Sequence, residues 1–404
     1  MTVADSTERS YPFGRDRLEL DPLCARLRRD EPVCRVRLPY GRPAWLVTAR
    51  DLAKQVLSDQ RFSREATLEG DNPREDPLDL QQQVPDSILN MDPPRHTRIR
   101  QLVGKAFTSR RVEQMRPRAR QIAAGLIEDM TAAGPPGDLV AGFSSAFPAI
   151  VICELLGVPD ADRPKFRRWT TAMVSTSTAS PEEQQEIFLG AFSYFGELFA
   201  RRRERPSDDL ITGLVQARDN DDRLTEMELL VFANALLVGG YETTASQITN
   251  MVYTLLTHPE QLGQLQARPQ LIPDAVEEML RYIVLGDAIN PRNATVDVQL
   301  GDVLVRAGEP VLAATTAADR DDSVFDRPDE LDITRQPNPH LAFGHGPHFC
   351  PGAQLARMEL QVSLDTILSR LPGLRLAVPD SELAWLEGTM MRGVRALPVA
   401  WDAG

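Results

Sequence analysis

The segment Leu341–Arg357, LAFGHGPHFCPGAQLAR, sets one cysteine, Cys350, between a glycine-rich turn and a helix-forming run. A thiol at a helix N-terminus has its thiolate stabilised by the helix dipole and by free N–H groups. Gly344, Gly346 and Gly352 permit close backbone approach. Such a thiolate is a good metal ligand, and two metals compete for it. His345, His348 and Cys350 could hold zinc, but they are crowded and no second Cys/His cluster completes the ligand set. A haem needs one axial thiolate, which pushes electron density toward O–O cleavage. An inert or merely reactive thiol is the third reading. The other cysteines carry no motif: Cys24 and Cys34 flank a helix-to-strand boundary, and Cys153 lies in the apolar run AIVICELLGVP, where a buried, unreactive thiol is expected.

A second constellation sits in LTEMELLVFANALLVGGYETTASQITNMVYTLLTHP. Thr225 and Glu228 have capping-box spacing and Pro259 ends the run. The helix so defined has about 33 residues and spans about 50 Å. It is apolar on most faces and is expected to be central and buried. Its middle nevertheless holds Gly239-Gly240 and Glu242-Thr243-Thr244. Mid-helix glycines cost about 1 kcal/mol each relative to alanine, and a buried carboxylate costs more unless partnered. Either the glycines mark a close helix crossing beside a solvated polar patch, or they admit a flat, bulky group to which Glu242 and Thr243 offer a proton path. A third pair, Glu278 and Arg281 in DAVEEMLRY, shares a helix face and gains weight only from its place ahead of the cysteine loop.

The elements that must position these residues are mainly helical. DPLCARLRRDEP reads as a short helix, and VCRVRLPYGRPAWLVT as a hairpin turning at Tyr40–Gly41. From Asp51 to about Val284 the pattern is mostly helical, with RRVEQMRPRARQIAAGLIEDM and PEEQQEIFLGAFSYFGELFARRRE as examples. ATVDVQLGDVLVRAGEPVLA is strand-rich, and GAQLARMELQVSLDTILSRL is a helix followed by short strands. The fold class is therefore mainly α with a minor β part. DNPREDPLDLQQQVPDSILNMDPPRHT is longer than an ordinary connection and reads as a lid. No repeat or linker divides the 404 residues, so a single domain, 1–404, is expected.

Composition agrees. A net charge of −13 argues against nucleic acid as a partner. No signal-peptide core and no apolar run long enough to span a bilayer appears, so a cytoplasmic protein with no membrane partner is expected. Few thiols in a long chain do not make a disulfide framework.

Phe343-Gly344-x-Gly346-x-His348-x-Cys350-x-Gly352 resembles the haem-binding signature of the cytochrome P-450 family. Gly-Gly-Tyr-Glu-Thr-Thr resembles that family's oxygen-activation helix, and Glu278-x-x-Arg281 its Glu-x-x-Arg element, in the same order along nearly the whole chain. MDPPRHTRIRQLVGKAFTSRRVEQMRP and the cysteine segment are similar to soluble bacterial members of specialised metabolism. The resemblance implies a helix-rich triangular prism with a long central helix over haem b, and Cys350 as the axial ligand to iron. It implies that His96, Arg100, Arg292 and His348 bind the haem propionates, that Phe343 shields the sulfur, that Gly352 belongs to the signature, and that Glu242 and Thr243 stabilise bound O2 and deliver protons. Two positions depart from the family pattern. Glu330 in RPDELDITR stands where an arginine is expected to join the Glu-x-x-Arg pair, with Arg335 as the possible substitute, and Tyr241 precedes the acid.

Family topology further implies a pocket lined by Leu89, Asn234, Val238, Gly239, Ala288, Ile289, Met390 and Met391, from the segments Glu65–Leu89, Thr171–Tyr194, Asn234–Gly239, Val284–Ile289 and Thr389–Met391. With Gln81–Gln83 and Asp86 nearby, a medium-sized, partly polar small molecule is expected, a polyketide or peptide-like intermediate to be hydroxylated or epoxidised. Oxidative C–C or C–N coupling of aromatic or cyclic-dipeptide substrates is the alternative on the same scaffold. A haem-based sensor or binding protein is the alternative from another class, and Glu242-Thr243 argues against it. No reductase segment is expected after ALPVAWDAG, and the resemblance implies ferredoxin and ferredoxin reductase as separate electron donors to a monomer. Arg100, Arg110, Arg111 and Arg357 are the cations expected to receive the ferredoxin.

Overall fold

The computed structural model describes residues 8–14, 16–75, 84–163, 165, 169, 181–221, 224–286, 290–387 and 391–402. The chain forms two compact units. The first comprises Met1–Arg100, Leu280–Leu331 and Pro337–Cys350; the second comprises Gln101–Met279, Asp332–Gln336 and Pro351–Gly404.

The first unit is built on a six-stranded mixed sheet in the order Arg9–Ser10, Val33–Arg37, Ala44–Val47, Pro310–Ala313, Arg292–Ala294, Phe62–Ser63. Val33–Arg37 and Ala44–Val47 pair antiparallel with Val33 opposite Val47, as the hairpin pattern predicts. Gly41 makes the turn at φ +85°, and a Cβ there would lie 2.1 Å from the Asn72 carbonyl oxygen. Successive side chains face opposite sides of the sheet. Val33, Val47 and Val311 therefore pack in one core with Val56, Phe62 and Leu341. Cys34, Leu46 and Leu312 pack in another with Leu27 of the helix Pro22–Asp30. The strand-rich stretch after residue 290 supplies two central strands and a separate hairpin, Val298–Leu300 with Val303–Val305.

The second unit is helical, with one small sheet of Arg375–Leu376, Pro398–Ala400 and Gly137–Asp138. Its axis is the helix Glu226–Thr257, which packs against Ala146–Leu156 and Ala353–Arg370. The capping box forms as read: the Glu228 amide donates to Thr225 Oγ1 at 3.0 Å and the Thr225 amide to Glu228 Oε2 at 2.9 Å. His258 and Pro259 end the helix after 32 residues. No helix among the described residues is long and apolar enough to cross a membrane.

Candidate functional site

The cysteine loop is built in the first unit by short-range backbone bonds. The Cys350 amide donates to the Phe343 carbonyl at 2.9 Å, the Gly344 amide to Leu341 at 2.8 Å, and the Phe349 amide to Gly346 at 3.0 Å. The loop is anchored where the Leu341 amide donates at 2.7 Å to the buried Asp319 carboxyl, which burial pushes up to about 8. Gly344 and Gly346 both have positive φ, +75° and +72°. Gly346 also lies against the end of the helix Arg50–Ser58: a Cβ there would sit 2.6 Å from the Leu57 carbonyl oxygen. The sequence thus folds into a tight arch that ends on Cys350.

Cys350 is partly exposed, whereas Cys24, Cys34 and Cys153 are buried. Burial pushes the Cys34 and Cys153 thiols up to about 12, so the unreactive reading of Cys153 stands. Arg100 donates to the Phe349 carbonyl, and burial holds its guanidinium below its ordinary range, with the charge of Cys350 acting in the opposite sense. The zinc reading fails here: among the described residues no three His, Cys, Asp or Glu side chains are grouped to hold a metal, so His345, His348 and Cys350 do not converge.

His96 and Arg100 lie on the helix Arg95–Ala106, Arg292 opens a strand of the sheet, and His348 precedes the cysteine. The structure brings them together. The His96 and His348 rings are 4.3 Å apart between centroids. Burial, with Arg292, His96, Arg64 and Arg100 adding repulsion, pushes His348 down to about 2. Burial, then Arg100, pushes His96 down to about 4, and burial pushes Arg292 down to about 10. Asp92 acts electrostatically on His96 and Arg292, and it already accepts from Ser63 Oγ and the Arg64 and Glu65 amides. The buried Nε2 of His348 has no hydrogen-bond partner among the described residues. A buried cluster of imidazoles and guanidiniums with an orphaned nitrogen is completed by an anion. The two propionates of a haem would supply that charge, and a half-exposed thiol on a glycine arch would supply its axial ligand. The residues present therefore fit the group.

Sequence reading missed Arg64. It is 4% exposed and donates to the Leu89 carbonyl and to Asn90 Oδ1, both at 2.9 Å. RFSREATLEG carries no signal that would have found it. Phe343 stands 6.3 Å from Phe349, ring to ring, and Leu89 is largely exposed.

In the second unit, Glu242 and Thr243 lie in the middle of the long helix. Between Val231 and Tyr253, Ala235, Val238, Gly239, Glu242, Thr243 and Ser246 are partly or fully open at helical spacing, so they share one face. The glycine doublet divides into the two readings offered for it. A Cβ on Gly240 would meet Ile152 Cδ1 at 2.9 Å, so Gly240 serves the helix crossing; a Cβ on Gly239 would meet nothing within 4 Å. Thr243 Oγ1 donates to the Gly239 carbonyl at 2.7 Å, which leaves its lone pairs outward. Asn234 is buried; its Nδ2 donates to Leu230 at 2.9 Å, and its Oδ1 has no partner among the described residues. Tyr241 is buried at 3% exposure, as its phenyl body requires. Gly352 caps the helix Ala353–Arg370, and Met391 is half-buried.

The missing family arginine is replaced. Arg335 Nε meets both oxygens of Glu278, at 3.2 and 3.1 Å, and the Asp332 amide adds a bond at 3.0 Å. Glu330 gives Arg281 only its backbone carbonyl, and its side chain pairs with Arg327. Arg281 also donates to the Asp319 and Pro328 carbonyls and stacks over Phe325.

Some expectations find other partners or lie outside the described residues. Asp86 pairs with Arg95 rather than standing free. Arg357 is held by Glu277 through two bonds of 2.7 and 2.8 Å. Ala288, Ile289 and Met390, Gln81–Gln83 and residues 171–180 lie outside the described residues.

The cytochrome P450 family model matches residues 19–268 and 264–373. The chain is 51% identical to the mycinamicin IV hydroxylase/epoxidase of Micromonospora griseorubida, over 99% of this chain and 100% of that one. It is 49% identical to the nocardicin C N-oxygenase of Nocardia uniformis subsp. tsuyamanensis, over 99% and 100%. The crystal structure of cytochrome P450mel 107F1, described as having biaryl coupling reactivity, superposes with a TM-score of 0.92 at 44% identity, over 98% and 100%.

Proposed function

This chain belongs to the cytochrome P450 family, and we propose that its residues 1–404 act as one haem-thiolate domain that oxidises a polyketide or peptide-like intermediate. It is a monooxygenase of natural-product biosynthesis that uses O2, a small-molecule substrate and redox partners. The observation that carries the assignment of its centre is the buried His96–Arg292–His348 cluster beside the Cys350 arch, short of anions and with one nitrogen orphaned.

When bound, haem b supplies the iron at which O2 is activated. Cys350 would hold the iron through its Sγ, with the Arg100 guanidinium bonded to the Phe349 carbonyl next to it in the chain. His96, Arg100, Arg292 and His348 would hold the two propionates and Phe343 would cover the sulfur, while Gly352 opens the following helix. Glu242 stands on the open face of the long helix, where its carboxyl would pass protons, and Thr243 Oγ1 accepts through its outward lone pairs. Val238 and Gly239 shape that face, Asn234 flanks it, and Leu89, Ala288, Ile289, Met390 and Met391 belong to the substrate-facing set. Hydroxylation or epoxidation is favoured by the mycinamicin relative, and heteroatom oxygenation by the nocardicin relative. Oxidative coupling is the second reading, supported by the biaryl-coupling structure. Ferredoxin and its reductase deliver electrons to a cytoplasmic monomer. Arg100 and Arg357, with their carbonyl and Glu277 partners, contribute less to docking than their charges alone suggest.

Product mass under labelled O2 tests the reaction. Incubation with mycinamicin IV, with nocardicin C and with simple phenols should yield one product that gains one labelled oxygen. Loss of two hydrogens per coupling, without label, would replace this reading with the second one.

A further inference from the structure

A cavity of about 480 Å³ opens in the second unit between the helices Ser109–Ala133 and Ala146–Leu156, and no residue assigned to haem or to O2 lines it. Its floor is apolar: Met115, Ala119, Ile122, Val151 and Leu155. Its rim is charged, and the charges are unequally satisfied. Glu154 is claimed twice, by Arg118 through Nη2 at 2.8 Å and by Arg163 at 3.3 Å. Asp208 is fully exposed and reaches Arg111 only at 4.0 Å. Arg110 is exposed and has neither a hydrogen bond nor an ion pair among the described residues. The rim is thus locally cationic on a chain whose net charge is −13. Pockets of 300–1,000 Å³ with apolar walls and a few polar groups are the usual form of small-molecule sites.

We propose that this cavity is a second ligand site for a small amphipathic carboxylate, whose apolar body covers the Met115–Ile122 and Val151–Leu155 floor while its carboxylate is taken by Arg110 and Arg111. Arginine suits this role because its planar fork pairs with a carboxylate through parallel bonds. The Thr108 hydroxyl already accepts from the Arg111 amide at 3.4 Å, so the guanidiniums are the donors offered to a ligand. A partly exposed pair is screened by salt, so affinity should fall with ionic strength.

The test uses the full-length, haem-loaded protein and 4-phenylbutyrate as probe, with its neutral amide as control, followed by calorimetry and by the Soret band in parallel. The expected result is saturable binding without a Soret shift, at least tenfold weaker for the amide, and at least tenfold weaker in Arg110→Gln/Arg111→Gln. Gln114→Trp, which keeps both arginines and fills the mouth from an exposed position, should also abolish binding. Binding that persists in both variants, binding that moves the Soret band, or no saturable binding to the parent protein overturns the proposal. None of these outcomes bears on Cys350, so the cavity and the haem assignment stand or fall separately.

Discussion

Two alanine substitutions in one loop separate the backbone demands of the cysteine arch. Gly344 and Gly346 both have left-handed φ, and a residue with a Cβ pays about 1–2 kcal/mol in that region. At Gly344 nothing is added to this, because the nearest atom to a new Cβ is the His348 carbonyl oxygen at 3.8 Å. At Gly346 the new Cβ would sit 2.6 Å from Leu57 O, 2.9 Å from Ser58 Cα and 3.1 Å from Ser58 Cβ. These are mostly backbone atoms at a helix end, which cannot swing aside. Overpacking of this kind costs about 1–3 kcal/mol more. Gly344→Ala is therefore expected to destabilise by about 1–2 kcal/mol and Gly346→Ala by about 2–5, the extra ~1–3 kcal/mol being about 5- to 150-fold in the folding equilibrium. Because the arch ends on Cys350, Gly346→Ala should also lose haem during purification. Urea unfolding and the ratio of Soret to protein absorbance read both effects. Equal behaviour of the two variants, or a milder Gly346→Ala, would refute the close packing of the arch against the helix Arg50–Ser58.

Arg335→Ala removes the Arg335 guanidinium from the fully buried Glu278 carboxylate, which keeps the Asp332 amide, and should cost about 3–5 kcal/mol in urea unfolding, whereas Arg327→Ala, at an exposed pair with Glu330, should change stability by under about 0.5. His96 is held at about 4, below its ordinary 6.5, so the unfolded chain takes up the proton first. His96 alone should therefore remove up to about 3 kcal/mol from folded haem-depleted protein as pH falls from 6.5 through 4, with His348, held down to about 2, adding a loss of the same sign. His96→Gln should lose less, and haem-loaded protein should lose less because the propionates favour the charged imidazoles; a flat profile between those pH values would contradict the buried cluster. Iodoacetamide at pH 8 should modify Cys350 alone in haem-depleted protein and no cysteine in haem-loaded protein; mass spectrometry of peptides reads the result, and labelling of buried Cys34 or Cys153 would contradict their burial.

What was legible in the sequence was local. The capping box of the long helix, the hairpin at Gly41 and the glycine arch before Cys350 depend on neighbours within a few residues, and each forms as read. The doublet Gly239-Gly240 was legible as a demand for space, but only packing shows that Ile152 occupies one position and leaves the other open. Family resemblance names Arg335 as the substitute, sequence reading misses Arg64, and both contacts span distance. Arg335 reaches Glu278 across 57 positions, and Arg64 reaches the Pro291 carbonyl across 227, and no periodicity encodes either. Charge was the least legible property. Four arginines looked available for a partner, yet Arg357 belongs to Glu277 and Arg100 to the Phe349 carbonyl, while Arg110 and Arg111 rim a cavity.

The most direct measurement of the central claim is the visible spectrum of the purified protein, reduced and exposed to carbon monoxide, beside Cys350→Ser. A strongly red-shifted Soret band in the parent that is absent in the variant is the result predicted by the proposal that the sulfur at position 350 holds the iron. A band at the same place in both proteins, or an unshifted band in the parent, would contradict it.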